Sequence, residues 1–246
     1  MASGLVCWKR APAGCSSLIC FPWAGGGAAP FRDWAQWLPD DLGLWAARLP
    51  GREVRLAEPP IDEMERLVAV LADEVAASAP QPYALFGHCA GAVIAFELTR
   101  ELRRRAAPLP VQLLAASQPA PRLARLEPTD ERDLREGLRR LGGTSEAVLG
   151  NPELFELVRP AIEADLRLVE NYVYVVDEPL DLPLTVFGVQ DDHAVELTSF
   201  ETWREETTGP FAVVLLEGNH LFTGASWRVL ADAVGDRMAE IGATRS

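Results

Sequence analysis

Residues 83–91 read Tyr-Ala-Leu-Phe-Gly-His-Cys-Ala-Gly, a short apolar run that ends in two glycines around a cysteine. The spacing matches Gly-x-Ser-x-Gly with Cys89 in place of serine, a pattern in which a buried strand turns sharply into a helix and exposes the middle side chain. A thiol can replace the hydroxyl as nucleophile, because it loses its proton more easily beside a helix N-terminus and a histidine. We call residues 87–91 the elbow and predict Cys89 as its nucleophile. The alternative is a small core cysteine.

An acid and a base follow in the chain order that such an elbow requires. An apolar run that reads as a strand is followed by Asp191 and Asp192. A later apolar run, also typical of a buried strand, leads directly to His220. Chain order alone therefore predicts that Cys89, His220 and one of the two aspartates come together.

With these residues, the chain resembles the type II, or external, thioesterases that accompany modular polyketide synthases and nonribosomal peptide synthetases. The match runs from about residue 15 to about residue 230. Its segments are Phe-Pro-Trp-Ala-Gly-Gly-Gly at 21–27, Phe-Arg-Asp-Trp at 31–34, Leu-Pro-Gly-Arg-Glu at 49–53, the elbow, Ala-Asp-Leu at 164–166, Gly-Pro-Phe at 209–211 and the His220 loop. The resemblance implies an α/β-hydrolase fold with a mainly parallel sheet, helices on both faces and an inserted helical lid. It also implies acyl or peptidyl carrier proteins as partners and no cofactor, since the substrate carries the phosphopantetheine.

Five positions depart from the pattern of that family. Cys89 replaces the usual serine, and Ala90 follows it where methionine is common. Trp23 stands where histidine or tyrosine is frequent, His193 replaces a proline, and Asn219 replaces a glycine before the histidine of the last loop. Four of the five lie around the expected active site, so the resemblance bears more directly on the fold than on the reaction.

The resemblance also implies roles around the elbow. Family members place a valine three residues after the acid and a tryptophan further on, which selects Asp192 as the partner of His220 and leaves Asp191 as a turn residue. An oxyanion formed during acyl transfer needs N–H donors. The backbone N–H of Ala90, at the start of the helix, and that of Ala24, in the loop after an early strand, are the predicted donors.

Three side chains near these positions are predicted to contact the substrate: Trp23, His88 and Leu221. A large ring at Trp23, beside the predicted oxyanion loop, could exclude water or shape an acceptor site, or it could simply pack. His88 precedes the nucleophile within a buried turn, which favours a hydrogen-bonded structural role for this histidine.

Composition fits a single domain and limits the partners. The chain has 246 residues, of which 48% are hydrophobic, and a formal net charge of −13 at pH 7. That charge argues against nucleic acid or an anionic membrane as partner. We expect a cytoplasmic protein, because the sequence has no leader-like start and no apolar run long enough to span a membrane. The four cysteines lack metal-ligand spacing, which predicts reduced thiols and no metal site.

Alternating strand and helix patterns predict a mainly parallel sheet covered on both faces. The predicted strands are 16–22, 43–48, 83–87, 111–117, 183–188 and 211–216. Apolar residues at three- and four-residue steps predict a helix over 61–78, and further helices are expected over 90–105 and near the C-terminus. Residues 120–180 interrupt the alternation with helical patterns at 129–141 and 152–175. We therefore expect one domain, 1–246, with a lid inserted over the active site.

Carrier proteins are themselves acidic, so an acidic enzyme would use a locally basic surface to bind them. Six arginines between positions 122 and 140 share that stretch with five acids. The stretch is the best candidate for a carrier-docking face, and a solvated helix with alternating charges is the other interpretation.

Three functions fit these residues. Hydrolytic removal of stalled or wrong acyl groups from carrier proteins is the function that the resemblance implies. A transacylase or cyclase is the second, because an acyl group on Cys89 would remain a thioester that amines, alcohols or carbon nucleophiles can attack. A non-catalytic carrier-binding protein, with Cys89 as a tolerated replacement, is the third, and the intact acid and base argue against it.

Overall fold

The computed structural model describes residues 4–123, 134–190, 192 and 194–244. Seven strands form one sheet in the order β1-β3-β2-β4-β5-β6-β7. The strands are β1 Leu5–Lys9, β2 Ser17–Phe21, β3 Gly43–Ala47, β4 Tyr83–His88, β5 Leu113–Ala116, β6 Leu184–Val189 and β7 Phe211–Leu216. Every neighbouring pair is parallel except β1 with β3. The predicted mainly parallel sheet is confirmed.

All six predicted strands are present, with ends that differ from the prediction by at most two residues. β1 is absent from the prediction. It lies at the edge of the sheet, pairs antiparallel with β3, and has only its first residue fully buried. An edge strand with so little burial does not show the continuous apolar run that marks the buried parallel strands.

The described part of the chain contains seven α-helices. They are α1 Met64–Ser78, α2 Ala90–Arg104, α3 Leu134–Leu141, α4 Glu146–Leu149, α5 Pro152–Glu170, α6 Leu197–Glu201 and α7 Ser226–Thr244. Short 3-10 helices lie at Ala29–Gln36, Glu53–Arg55, Pro121–Leu123 and Thr202–Glu206. None of these helices combines the length and the apolar content needed to cross a bilayer.

Apolar layers cover both faces of the sheet. Successive side chains of a strand point to opposite faces. On β2, Ile19 and Phe21 belong to the layer that includes α1 and α2, whereas Leu18 and Cys20 belong to the layer that includes α7 and the 3-10 helix at Ala29–Gln36. Because both faces are buried, the central strands are apolar throughout rather than alternating.

Three helices, α3, α4 and α5, lie between β5 and β6. They form a small apolar cluster of their own: Leu134, Leu138, Leu149, Phe155 and Ile162. The predicted helices at 129–141 and 152–175 correspond to α3 and α5, with later starts or earlier ends, and residues 124–133 lie outside the described part. A single domain with a lid over 120–180 stays a prediction.

Close backbone contact explains both glycines of the elbow. A Cβ atom on Gly87 would lie 2.2 Å from the carbonyl oxygen of Gly91, in the first turn of α2. A Cβ atom on Gly91 would lie 2.3 Å from the carbonyl oxygen of Phe21, at the end of β2. Only glycine lets backbones approach this closely. β2, β4 and α2 therefore meet at one point, and this fixes the position of Cys89.

We expect Gly91→Ala to lower the free energy of unfolding by about 2 kcal/mol, the usual cost of forcing an extra carbon into a well-packed site. Urea unfolding measures the change. The matched control is Gly137→Ala on α3, where an added Cβ meets no atom within 4 Å. Alanine is the better helix former by about 1 kcal/mol, so the control should be as stable as the wild type or more stable. Equal stability of Gly91→Ala and the wild type would contradict the close approach.

Candidate active site

The carboxyl ends of the parallel strands lie along one edge of the sheet, where the following loops meet. Cys89 directly follows β4, Asp192 comes three residues after β6, and His220 comes four residues after β7. Strands β4 to β7 are consecutive neighbours in the sheet. The topology therefore brings all three predicted residues to the same edge.

Cys89 has the backbone conformation typical of an elbow tip. Its φ of 52° and ψ of −120° lie outside the regions that non-glycine residues normally occupy. Its N–H donates to the carbonyl oxygen of Ala116 on β5 at 2.8 Å, and its carbonyl oxygen accepts from the N–H of Ala92 at 2.8 Å. These two bonds hold the strained turn in place. The thiol itself is partly exposed and free.

Asp192 lies beside His220, with 2.8 Å between His220 Nδ1 and Asp192 Oδ2. The histidine side chain is 12% exposed and the aspartate side chain 1%. The second carboxylate oxygen, Oδ1, accepts from the N–H of Ala194 at 2.8 Å. An acid bonded to Nδ1 orients the ring and leaves Nε2 for chemistry. Asp191 and His193 lie outside the described residues.

The surroundings favour the charged forms of both partners. Burial raises the pKa of the Asp192 carboxyl, but the hydrogen bond and charge of His220, with the N–H groups of Ala194 and Val195, lower it below its ordinary value. Burial lowers the pKa of His220, but hydrogen bonds and charge interactions with Asp192 and Cys89 raise it to about 10. Cys89 is therefore one of the two groups that raise the pKa of His220.

Asn219 shapes the loop that carries His220. Its Oδ1 accepts from the N–H of Thr223 at 3.0 Å, and its Nδ2 donates to Thr223 Oγ1 at 2.9 Å. The turn is closed by the N–H of Phe222, which donates to the carbonyl oxygen of Asn219 at 2.8 Å. Asparagine side chains commonly stabilise turns in this way. The replacement of the family's glycine by Asn219 therefore has a structural use that the sequence pattern does not reveal.

The predicted oxyanion donors, Ala24 and Ala90, lie on the two segments that meet at the elbow. Ala90 is the first residue of α2, where an N–H has no partner within the helix. Ala24 follows β2, and Gly91 packs against the end of that strand. In the described part of the chain, neither N–H has a hydrogen-bond acceptor. Two unpaired N–H groups beside a nucleophile are what an oxyanion hole requires.

Trp23 and Leu221 meet at Gly143, in the connection between α3 and α4. Trp23 Nε1 donates to the carbonyl oxygen of Gly143 at 3.3 Å. A Cβ atom on Gly143 would lie 2.5 Å from Leu221 Cδ1 and 2.6 Å from Trp23 Nε1. Both side chains are buried. They connect the loop after β2 and the His220 loop to the segment between α3 and α4. Their contact with substrate stays a prediction.

His88 is fully buried beneath the triad. Its ring packs against four aromatic side chains, Trp23, Phe86, Phe222 and Trp227, at centroid distances of 5.4 to 6.4 Å. Neither ring nitrogen makes a well-formed hydrogen bond to any described residue, so the expected hydrogen-bonded role stays a prediction. Burial and the positive charge of His220 lower the pKa of His88 to about 3, and a weak interaction with the His220 backbone does not outweigh them. A neutral ring without exposed surface also argues against the predicted substrate contact.

Arg52, Glu53 and Asp165 hold the loop after β2, although the sequence pattern assigns none of them a role. Glu53 Oε1 accepts from the N–H of Ala29 at 2.8 Å. Arg52 and Asp165 form a buried ion pair that also bonds the loop backbone. One signal was available: Asp165 lies on the apolar face of a predicted helix, and a buried carboxylate requires a partner.

The arginines of the stretch from 122 to 140 are largely engaged within the chain. Arg122 and Arg139 each pair with acidic side chains. Arg135 lies 4.1 Å above an aromatic ring. Arg125 and Arg132 lie outside the described residues. The described part of the stretch therefore has less unpaired basic charge than its composition suggests, and a carrier-docking face here stays a prediction.

No group of three or more His, Cys, Asp or Glu side chains within the described ranges is arranged to hold a metal ion. A cavity of about 1020 Å³ lies between α1, α2 and the chain after α5, and its lining includes Met64, Arg100 and Tyr172. None of the predicted site residues lines this cavity. The predicted catalytic residues Cys89, Asp192 and His220 are therefore separate from this cavity.

Comparison with known proteins identifies the family. The Thioesterase domain family matches residues 16–236. The gramicidin S biosynthesis protein GrsT of Aneurinibacillus migulanus is 37% identical over 211 residues, which cover 83% of this chain and 82% of GrsT. The solved thioesterase RedJ from the prodiginine pathway of Streptomyces coelicolor has a TM-score of 0.84 and 37% identity, covering 92% of this chain and 90% of RedJ.

A second solved structure, the type II thioesterase BorB from the borrelidin biosynthetic cluster, has a TM-score of 0.85 and 32% identity, and 98% of each chain is covered. The chain belongs to the thioesterase family. It has the predicted α/β-hydrolase fold, and it is a thioester hydrolase.

The two histidines predict opposite effects of pH on stability. The pKa of His88 falls from 6.5 to about 3 in the folded protein, so its contribution is present above pH 6.5 and is lost as the pH falls towards 3. The pKa of His220 rises from 6.5 to about 10, so its contribution is present below pH 6.5 and is lost as the pH rises towards 10. Each histidine contributes a slope of at most about 1.4 kcal/mol per pH unit.

Chemical denaturation at a series of pH values checks this with two variants. His88→Leu should flatten the acid side of the stability curve, and His220→Gln should flatten the alkaline side. On the acid side the comparison is His88→Leu with the wild type, which have the same carboxylates. His220→Gln is compared with the wild type on the alkaline side only, because it also removes a charge that lowers the pKa values of Asp192 and His88. An acid side that is equally steep in His88→Leu and in the wild type would contradict the assignment to His88.

Proposed function

We propose that this thioesterase hydrolyses acyl groups from the phosphopantetheine arm of acyl or peptidyl carrier proteins through a covalent intermediate on Cys89. One observation carries the proposal: Cys89 has the backbone conformation of an elbow tip at the same edge of the sheet as His220, whose Nδ1 lies 2.8 Å from Asp192. A nucleophile, a base and an acid that orients the base are the parts that acyl transfer needs.

In the first half of the reaction, the Cys89 thiolate attacks the carbonyl carbon of the acyl thioester. The new carbon–sulfur bond moves the carbonyl electron pair to oxygen and gives a tetrahedral oxyanion. Collapse of this species breaks the bond to the phosphopantetheine sulfur, which takes the proton of the His220 imidazolium. The acyl group is then a thioester of Cys89, and His220 is neutral and can act as a base.

In the second half, His220 takes a proton from water as the water oxygen attacks the acyl-enzyme. A second oxyanion forms and collapses, which releases the carboxylic acid and restores the thiolate and the imidazolium. Asp192 keeps Nδ1 protonated and the ring in place through both halves. We assign the stabilisation of both oxyanions to the N–H groups of Ala24 and Ala90, and the loss of one such donor typically costs about 3 kcal/mol in the barrier.

The relatives support carrier-bound substrates. GrsT is named for gramicidin S biosynthesis, RedJ for the prodiginine pathway and BorB for the borrelidin cluster. We therefore assign this chain to an assembly line of that general kind, where it removes stalled or wrong acyl groups. The arm belongs to the substrate, so the proposal needs no cofactor. It places the protein in the cytoplasm, with a carrier protein as its partner.

Cys89 favours a second candidate function, acyl transfer or cyclisation. A serine would convert the substrate thioester into a more stable oxygen ester, whereas Cys89 keeps the acyl group as a thioester. That intermediate remains reactive towards an amine, an alcohol or a carbon nucleophile. A purely carrier-binding role is set aside, because the chain belongs to a family of enzymes.

Mass spectrometry of a carrier protein loaded with a short acyl group tests the nucleophile. We expect Cys89→Ala to release no free acid above background, since the loss of the nucleophile costs about 10⁶-fold in kcat in a comparable triad. Cys89→Ser should keep slow hydrolysis and lose any transfer. The matched control is Cys15→Ala, because Cys15 is another free, partly exposed thiol, and it should turn over like the wild type.

The same spectra separate the two functions. Free acid released by the wild type indicates hydrolysis. An acyl group that moves to Cys89 and persists there until an amine or alcohol is added indicates transfer. Full turnover by Cys89→Ala would refute the nucleophile assignment and, with it, both functions.

A further inference from the structure

A buried ion pair joins α5 to the loop after β3. Arg52 Nη1 lies 2.5 Å from Asp165 Oδ2, and Arg52 Nη2 lies 2.8 Å from Asp165 Oδ1. The side chains are 9% and 4% exposed. A guanidinium bonded to both carboxylate oxygens has a defined orientation as well as a strong charge interaction. The two residues are 113 positions apart in the sequence, so the pair connects two segments that are distant along the chain.

Both members of the pair also bond the loop that carries Ala24. Asp165 Oδ2 accepts from the N–H of Gly25 at 2.7 Å. Arg52 Nη1 donates to the carbonyl oxygen of Gly26 at 2.9 Å. The carboxylate thus accepts hydrogen bonds from the guanidinium and from the loop backbone. The guanidinium likewise donates to both the carboxylate and the loop backbone. The two bonds fix the Ala24–Gly25 and Gly26–Gly27 peptide groups, on either side of the Gly25–Gly26 peptide.

A hydrogen bond within the same turn sets the direction in which the N–H of Ala24 points. The N–H of Gly26 donates to the carbonyl oxygen of Trp23 at 2.8 Å. That carbonyl and the N–H of Ala24 belong to the same peptide group, and in a planar trans peptide they point in opposite directions. Fixing the carbonyl towards Gly26 therefore turns the Ala24 N–H away from the turn. Rotation of this peptide group would remove the donor from the site.

α5 touches the same turn directly. Gly25 has a φ of +76°, and a Cβ on it would lie 2.6 Å from Ile162 Cγ1 on α5. Because Gly25 is free to adopt many conformations, the turn needs an external restraint to keep one of them. Asp165, three residues after Ile162 on the same helix, provides that restraint.

We propose that the Arg52–Asp165 ion pair is the positioning device of the oxyanion hole: it holds the turn from Trp23 to Gly26 so that the Ala24 N–H faces the carbonyl group attacked by Cys89. The proposal rests on the function proposed above. Arg52 and Asp165 are positioning residues, since they act through the backbone of the loop and not on the substrate. The pair also makes the oxyanion hole depend on the placement of α5.

The test replaces the pair by apolar side chains of similar size, Arg52→Met with Asp165→Leu. A double replacement leaves no unpaired buried charge, so such variants often fold as stably as the wild type. Asp165→Asn alone is the second variant, because it keeps the shape of the side chain and one acceptor oxygen. The matched control is Arg100→Met with Glu97→Leu, another buried ion pair, whose members bond no residue of the 23–26 turn.

Two rates are measured on each variant. Turnover of a hexanoyl N-acetylcysteamine thioester requires the oxyanion hole. Alkylation of Cys89 by iodoacetamide, followed by peptide mass spectrometry, requires the thiolate but forms no oxyanion. We expect kcat to fall by about 10²- to 10³-fold in the double variant, with KM and the alkylation rate unchanged. Asp165→Asn should show a smaller fall of the same kind, and the control should match the wild type.

A folded double variant, or Asp165→Asn if the double variant does not fold, that keeps the wild-type kcat would overturn the proposal. So would an alkylation rate that falls in parallel with kcat, because the defect would then lie in the Cys89–His220 pair. Cys89→Ala is measured alongside. If it turns over as fast as the wild type, the proposed function fails as well. If the wild type depends on Cys89 while the ion-pair variants remain fully active, this inference alone fails.

Discussion

The close approach of three backbones at the elbow determines the geometry of the site. Gly87 and Gly91 let the start of α2 lie directly against the ends of β4 and β2. Because α2 starts there, Cys89 is forced into a conformation that its side chain disfavours, and the first N–H groups of the helix face the same space as the thiol. The same contact holds the end of β2 beside the nucleophile. The loop that carries Ala24 therefore begins where an oxyanion hole needs it.

The two neighbouring histidines of the site have pKa values that are shifted in opposite directions. Asp192 and Cys89 raise the pKa of His220 to about 10, whereas burial lowers that of the neighbouring His88 to about 3. Two imidazolium ions in contact would repel each other in a poorly solvated place, so the burial of His88 and the charge on His220 are compatible only in this combination. A serine enzyme needs a neutral histidine to take the proton of a hydroxyl. A thiol can give up its proton before the substrate arrives, so a charged His220 is compatible with the proposed nucleophile.

The sequence was most informative where the chain obeys a simple period or order. Six strands, the main helices and the residues at the carboxyl edge follow from apolar runs and from the order of nucleophile, acid and base. β1 was not predicted, because an edge strand is only half buried and lacks a continuous apolar run. The surroundings of His88 could not be predicted, because three of its four aromatic neighbours, Trp23, Phe222 and Trp227, are far from it in the sequence. The ion pair of Arg52 with Asp165 was not predicted either, because no local sequence pattern relates residues that are 113 positions apart.

The choice between water and another acceptor depends on what surrounds the acyl-enzyme. Transfer from one thioester to another changes the energy of the acyl group very little, so the proposed intermediate on Cys89 would keep the reactivity of the substrate. Whatever nucleophile reaches it first therefore decides the product. Trp23 and Leu221 both contact Gly143, in the connection between α3 and α4. The same helical segment supplies Asp165, which restrains the loop of Ala24. The packing of Trp23 and Leu221 and the orientation of a proposed oxyanion donor thus depend on one structural unit, the helices α3 to α5, and a displacement of that unit would change both together.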